Sequence, residues 1–405
     1  MKKTIFLFIA VLFFISQSAA QIDPPVLSVI SKVDKDSLME NLNLLSGEKP
    51  ITLFAAPILI SSRYSGDVGN SYAALWLKSK LTGYGLHVYT QDFYGNGQNV
   101  FAIQPGVEKP NQHVIICAHY DDMPPGNYAP GADDNGSGTV AVLEAARILS
   151  KYTTKYTIVY ALWDQEEQGL YGSKYYADQA RYRGDSIIAV INLDMIGYDK
   201  NNDFRCEIHT GTVANTPTLS GKMIEINNTY SIGLKTYPVV PGTLGSDHAS
   251  FWRDNYTAVL LIESESDFNV NYHSQLDMVQ YINEEYFYRC SKLGIATLAA
   301  YAQITGETFV NSEIPTFYSL SQNYPNPFNP STKIRYSLAK ESHVRLVVYD
   351  ALGREVSVLV NQAQQPNNYE VEFNSSNYNG LSSGIYLYAL YTGDNYSFRK
   401  MVLVK

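Results

Sequence analysis

Apolar and polar positions change their period along this chain, and the changes divide it. Between residues 86 and 264 the apolar runs VIICAH, TIVYALWD, IIAVINLD and AVLLIES alternate with segments whose apolar residues recur every three or four positions. The runs read as buried strands, and the segments between them as helices with one apolar face. Helices are predicted over residues 139–149, from GLYGSKYYADQ onward, over 217–230 and over 284–302. Upstream, Ser37 and Glu40 stand in capping-box spacing at a helix start that Gly47 would stop, and residues 71–81 form a second helix ending at Gly83. Strand-like LHVYTQDF and NVFAIQPG lie between. Such alternation predicts an α/β domain with a mainly parallel central sheet flanked by helices.

The pattern differs at both ends. Residues 1–20 join two lysines to an apolar run ending in Ser18-Ala19-Ala20, the form of a signal peptide cleaved before Gln21. An uncleaved anchor helix is the alternative, but the run is short for a membrane span. No other stretch could cross a bilayer, so no transmembrane segment is expected in the mature chain. Beyond a linker at residues 305–320, NYPNPFNP excludes helix and central strand. The short runs KIRYSLA, HVRLVVYD, EVSVLV, NYEVEF, GIYLYALY and SFRKMVLVK then predict a small all-β sandwich over 321–405. The catalytic candidates all fall in residues 21–304.

Charge sharpens this division. Taking the +2 of residues 1–20 and the +2 of residues 315–405 from the net −9 leaves −13 on residues 21–314. An acidic body argues against nucleic-acid binding and suits cationic substrates. The three cysteines, Cys117, Cys206 and Cys290, cannot close a disulfide framework. Cys117 lies in an apolar strand, and a Cys206–Cys290 bridge is possible without being required.

Open α/β sheets bind ligands outside the carboxyl ends of their strands. There the chain places His119, Asp134, Glu167, Asp194 and His273. Singly, each has an ordinary explanation: a hydrogen-bonded histidine, a helix-capping Asp133 or Asp134, a solvated Glu166-Glu167 pair. Together they would be costly to bury beside apolar strands unless a cation neutralised them. Two imidazoles and three carboxylates suit zinc better than manganese or cobalt, and five ligands suit two ions sharing a carboxylate. Asp121 is placed to fix the His119 tautomer, and Glu166 to act as general base. Gly136, Gly138 and Pro130-Gly131 let the backbone crowd the site.

The order AHYD, PGADDNGSG, WDQEEQGLYGS, INLDMIGY, SDHASF, NYHSQLDM over residues 30–303 resembles the secreted di-zinc aminopeptidases, relatives of glutamate carboxypeptidases and glutaminyl cyclases. The resemblance implies a zinc-exopeptidase, phosphorylase/hydrolase-like fold and two Zn2+ per chain. Asp134 would bridge them, with His119 and Asp194 on one ion and Glu167 and His273 on the other. It also implies Glu166 as general base, a cis Asp134–Asn135 peptide, and hydrolysis of N-terminal residues from peptides with a free amino terminus. The segment around Ser246, Asp247 and His248 would lie beside the substrate pocket, with His248 structural. Tyr198, Ser246, Phe251 and Tyr272 would line an apolar or aromatic pocket. A glutaminyl-peptide cyclotransferase with one zinc is the alternative. A carboxypeptidase lacks a basic cluster for a substrate carboxylate, and an inactive binding module would have lost ligands. NYPNPFNP, VYDALGREV, LSSGIYLYAL and KMVLVK resemble the C-terminal sorting domain of the type IX secretion system. That implies a secreted or cell-surface protein engaging the type IX machinery, against the plainer reading of an adhesive or stabilising β-domain.

Overall fold

The computed structural model describes residues 22–126, 128–307, 318–378, 381–393 and 395–405. The signal-peptide segment and most of the expected linker lie outside the described residues. The chain divides into two compact units, Met1–Thr308 and Phe309–Lys405.

Eight strands form the central sheet of the first unit: β1 (His87–Asp92), β2 (Gln98–Gln104), β3 (Lys109–His119), β4 (Tyr156–Trp163), β5 (Ser186–Leu193), β6 (Arg205–His209), β7 (Lys235–Val239) and β8 (Ala258–Glu263). Their order is β7-β6-β8-β5-β3-β4-β2-β1. The pairs β7/β6, β8/β5, β5/β3 and β3/β4 are parallel, while β6/β8, β4/β2 and β2/β1 are antiparallel. Four of these seven pairings are parallel, three of them consecutive at the centre, so the expected mainly parallel α/β sheet is present, with antiparallel pairing added at β6/β8 and along β4-β2-β1. The reversal at β6 puts residues from the middle of that strand near the carboxyl ends of β8 and β5.

Period-two alternation sorts the side chains of the central strands. On β3, Val114, Ile116 and Ala118 join a core with α4 (Gly138–Leu149) and α8 (Glu284–Ala302), while Ile115 and Cys117 face α5 (Tyr171–Arg183) and α7 (His248–Arg253); the other helices in chain order are α1 (Pro24–Ser31), α2 (Lys35–Leu45), α3 (Val68–Gly83) and α6 (Thr216–Thr229). Both faces being covered, these strands read as continuous apolar runs. Each fully buried Leu or Ile contributes about 1.5–3 kcal/mol. The three cysteines are buried and free. Cys206 and Cys290 neighbour one another as thiols, and burial pushes Cys290 well up, with Cys206 adding to the rise.

Two helix starts differ from expectation. The helix Lys35–Leu45 is capped by Asp34, whose Oδ1 accepts the Ser37 N–H at 2.8 Å. Ser37 does not cap because its hydroxyl is given to Glu144 Oε2, 3.1 Å away on α4. The helix Val68–Gly83 begins before residue 71, because its first three residues, Val68, Gly69 and Asn70, are weak helix formers that give no helical signal. Helix Pro24–Ser31 was not predicted. No helix among the described residues is long and apolar enough to cross a membrane.

The second unit is all β. Ser319–Leu320, Ser331–Leu338 and Asn367–Asn374 form a three-stranded sheet; Glu355–Gln364, Ser342–Tyr349, Gly384–Thr392 and Asn395–Leu403 form a four-stranded antiparallel one. Alternate residues such as Ile334, Tyr336, Leu346, Val348, Tyr388 and Leu390 close a shared core.

Candidate active site

Five ionisable side chains meet at the carboxyl edge of the sheet. His119 ends β3, Glu167 follows β4, and Asp194 follows β5. Asp134 comes from the kinked turn Ala132–Ser137 ahead of α4, and His273 from the loop after β8. The Asp134 carboxylate lies between two sets. Its Oδ1 is 3.3 Å from His119 Nε2, which is also 3.3 Å from Asp194 Oδ1. Its Oδ2 is 3.2 Å from His273 Nε2, itself 2.8 Å from Glu167 Oε2.

In each set the three candidate ligand atoms lie within 4.8 Å of one another. His119 Nε2, Asp194 Oδ1, Glu167 Oε1 and His273 Nε2 are buried without a hydrogen-bond partner among the described residues. Buried polar atoms are normally partnered. Orphans converging on two points, from imidazole and carboxylate donors, fit a pair of divalent cations of zinc type.

Charge coupling is strong throughout. Burial alone would raise Asp134, but the two imidazoles beside its oxygens hold it below the usual carboxylate range. Burial opposes protonation of His273, yet Asp134 and Glu167 bring it up to about 10. Glu167 is pushed up to about 8 by burial and by Asp134. Burial also pushes Glu166 well above the ordinary glutamate range; His119 opposes this, and Asp247, Asp194 and Glu167 add to it.

A ring of partners fixes these groups. His119 Nδ1 faces the Asp121 backbone carbonyl at 3.2 Å, with the Asp121 carboxylate at 3.5 Å. That carboxylate mainly accepts the backbone N–H groups of Glu166 and Glu167, at 3.1 and 3.2 Å. Asp121 thus orients three site residues rather than one. Ser246 donates to Asp194 Oδ2 at 2.6 Å and accepts from Asn192 at 2.7 Å. The Asp134–Asn135 peptide is cis. Asn135 bonds Leu193 O and, through Oδ1, the Gly138 N–H, both at 2.9 Å. A Cβ at Gly138 would stand 2.3 Å from Leu193 O, so only glycine lets α4 start this close to β5.

Three positioning devices were missed in the sequence. Asp277 accepts the N–H groups of Asp133 and Asp134, at 3.1 and 2.9 Å, gripping the turn that carries Asp134. Asn269 donates to Asp133 and to Asp277, at 3.0 and 3.2 Å. Arg63, fully buried, donates to the carbonyls of Leu45, Tyr120, Pro130 and Gly131 and pairs with Asp122 at 3.3 Å. It ties both ends of the loop between His119 and Asp134. A charged residue closing the apolar segment ILISSR was the one available signal.

The site opens into a chamber of about 400 Å³. Tyr272 lines it, stacked on His273 with ring centroids 3.7 Å apart. The other expected pocket residues do not. Phe251 is fully buried against Trp163 and Tyr176, because the apolar face of α7 turns into the core. Tyr198 and Asp247 are buried outside the chamber lining, and Ser246 acts through Asp194. His248 is buried, with Nε2 2.9 Å from Thr243 O, and is held down to about 3 by burial. The lining is not simply aromatic either: Met195, Ile262 and Phe268 share it with Glu207, Glu263 and Glu265.

Residues 99–298 match the model of peptidase family M28, and residues 322–405 that of a secretion system C-terminal sorting domain. The chain is 27% identical over 306 residues to leucine aminopeptidase 1 of Paracoccidioides brasiliensis, covering 69% of this chain and 78% of that one. It is 26% identical over 249 residues to a probable zinc metalloprotease of Pyrenophora tritici-repentis and spans about half of that protein's length, 51%. The crystal structure of the LapA aminopeptidase of Legionella pneumophila shares the fold, with TM-score 0.59 and 23% identity over 68% of this chain and 74% of that one. The chain thus contains a peptidase family M28 domain over residues 99–298, followed by a secretion system C-terminal sorting domain over residues 322–405.

Proposed function

We propose that the chain is a secreted zinc-dependent aminopeptidase that removes N-terminal residues from peptides at a two-zinc site. His119, Asp194 and Asp134 would hold one ion; Glu167, His273 and the same Asp134 would hold the other. The observation that carries this reading is the Asp134 carboxylate, whose two oxygens face two separate imidazole–carboxylate sets at 3.3 and 3.2 Å. Zinc at such a site supplies Lewis-acid polarisation of a carbonyl and a lowered water pKa. The chain's residues do the rest. Glu166, set by its backbone bond to Asp121, accepts the proton of the attacking water at its carboxylate and returns it to the departing amine. Asp121, Ser246 and Asp277 keep His119, Asp194 and Asp134 from relaxing away. The surrounding carboxylates favour a substrate that presents a free, cationic α-amine.

The deciding assay compares a panel of unblocked aminoacyl nitroanilides with their N-acetylated forms and with a glutaminyl peptide. Nitroaniline release from unblocked substrates alone is expected. Ammonia release from the glutaminyl peptide without aminoacyl cleavage would instead make the chain a cyclotransferase.

The sorting domain assigns secretion to the type IX system, and we propose that it acts only in export. Deleting residues 321–405 is expected to leave kcat/KM within about twofold and to retain the protein in the periplasm of its host, read by fractionation. Normal export of the truncated chain would refute the sorting role.

A further inference from the structure

The chamber continues beyond the five clustered residues to a second, acidic end. The sheet sets its length. The Glu263 N–H donates to Met195 O at 2.9 Å, one strand spacing from the residue after Asp194. Glu207 pairs with Ile262 on the next strand, so it lies two spacings from Met195, about 10 Å. Met195, Ile262 and Phe268 line the passage between the two ends. A long side chain on a substrate's first residue would cover much of this distance with its methylenes against apolar walls and meet the Glu207 side chain coming from the other end; a leucine side chain would stop short.

What waits along this passage is negative charge, Glu207 at the far end and Glu263 one spacing nearer the five clustered residues. Glu207 is 7% exposed; its Oε1 accepts from Ser264 Oγ at 3.3 Å and from the Glu265 N–H at 3.2 Å, and its Oε2 faces His209 Nε2 at 3.3 Å. Glu263 is 1% exposed; its Oε1 accepts the Asn269 N–H at 2.7 Å, and its Oε2 is buried with no hydrogen-bond partner among the described residues. No lysine or arginine lines the chamber among the described residues. Arg205, on the same strand as Glu207, lies over the Tyr237 ring, 3.9 Å from its centroid. His209 does not compensate, because burial lowers its pKa despite Glu207. Burial pushes Glu263 well above the ordinary glutamate range and the adjacent Asp133 adds to the rise, with no cation of the chain beside it to oppose this. An apolar substrate side chain would leave the Glu207 carboxylate desolvated with no cation against it, which is costly; a cation would pair it and favour ionisation of Glu263 beside it.

We propose, resting on the aminopeptidase reading above, that the chamber selects peptides whose first residue is lysine or arginine, with Glu207 and Glu263 as the specificity-determining carboxylates and Glu265 at the entrance. The aliphatic stem would lie along Met195, Ile262 and Phe268, and the ammonium or guanidinium would meet the carboxylates.

The test measures kcat/KM of the zinc-loaded full chain on lysyl, arginyl, leucyl and glutamyl nitroanilides, for wild type, Glu207→Gln and Glu265→Gln. Wild type is expected to prefer lysyl and arginyl over leucyl substrate by about tenfold or more. Glu207→Gln should reduce that ratio by about tenfold, and the exposed Glu265→Gln should reduce it in the same direction by less. The ratio is the readout because a merely structural defect lowers all four rates together and leaves it unchanged. Equal or better turnover of leucyl substrate by wild type overturns the proposal while leaving the aminopeptidase reading intact, and so does an unchanged ratio in both variants. Failure to cleave any of the four overturns the aminopeptidase reading and this proposal with it.

Discussion

Glu166→Gln lowers kcat by about 10²–10⁴-fold, the range over which a positioned general base acts, and leaves zinc content unchanged. The substitution keeps the shape of the side chain and the backbone bonds that place it, since Asp121 grips the N–H groups of residues 166 and 167 rather than the Glu166 carboxylate. It removes only the capacity to take and return a proton. Steady-state kinetics alongside metal analysis of the same preparation check this. Near-normal kcat would take Glu166 out of the reaction, and loss of zinc would make it a ligand.

Asp134→Ala is expected to weaken binding at both ion positions, and activity should fall by at least about 10²-fold at saturating substrate. The reason is geometric: one carboxylate faces His119 and Asp194 through Oδ1, and Glu167 and His273 through Oδ2. Asp194→Ala touches only the first set, so it should weaken one ion and spare the other. Calorimetric zinc titration of the two variants separates these cases. Equal behaviour of Asp134→Ala and Asp194→Ala would mean that Asp134 serves a single ion.

Much of this was legible because the strongest signals are local. The α8 span Glu284–Ala302 coincides with the predicted 284–302, since its caps and apolar face lie within it. The five clustered residues were visible because each stands at a strand end or in a loop near one. Strand order was not. The reversal of β6 against β8 is a pairing between residues about fifty positions apart, and neither strand's own pattern contains it. Hence Glu207, on a strand that was not predicted, and Glu263, inside the apolar run AVLLIES, carried no sign that the sheet brings both to the chamber. Asp277, Asn269 and Arg63 escaped for a different reason. They act by bonding backbone or buried polar groups from distant loops, and nothing in their own sequence neighbourhood shows what they hold. Phe251 was misjudged because proximity in sequence to Ser246 says nothing about which face of a short helix turns inward.

The central claim is that the site works with two ions sharing Asp134. Its most direct test strips the full chain with a chelator and returns zinc in measured equivalents while aminopeptidase activity is followed. Activity should be lost on stripping, and its recovery should be complete only at about two zinc ions per chain. Full activity at one zinc per chain, with no further gain from the second, would contradict it.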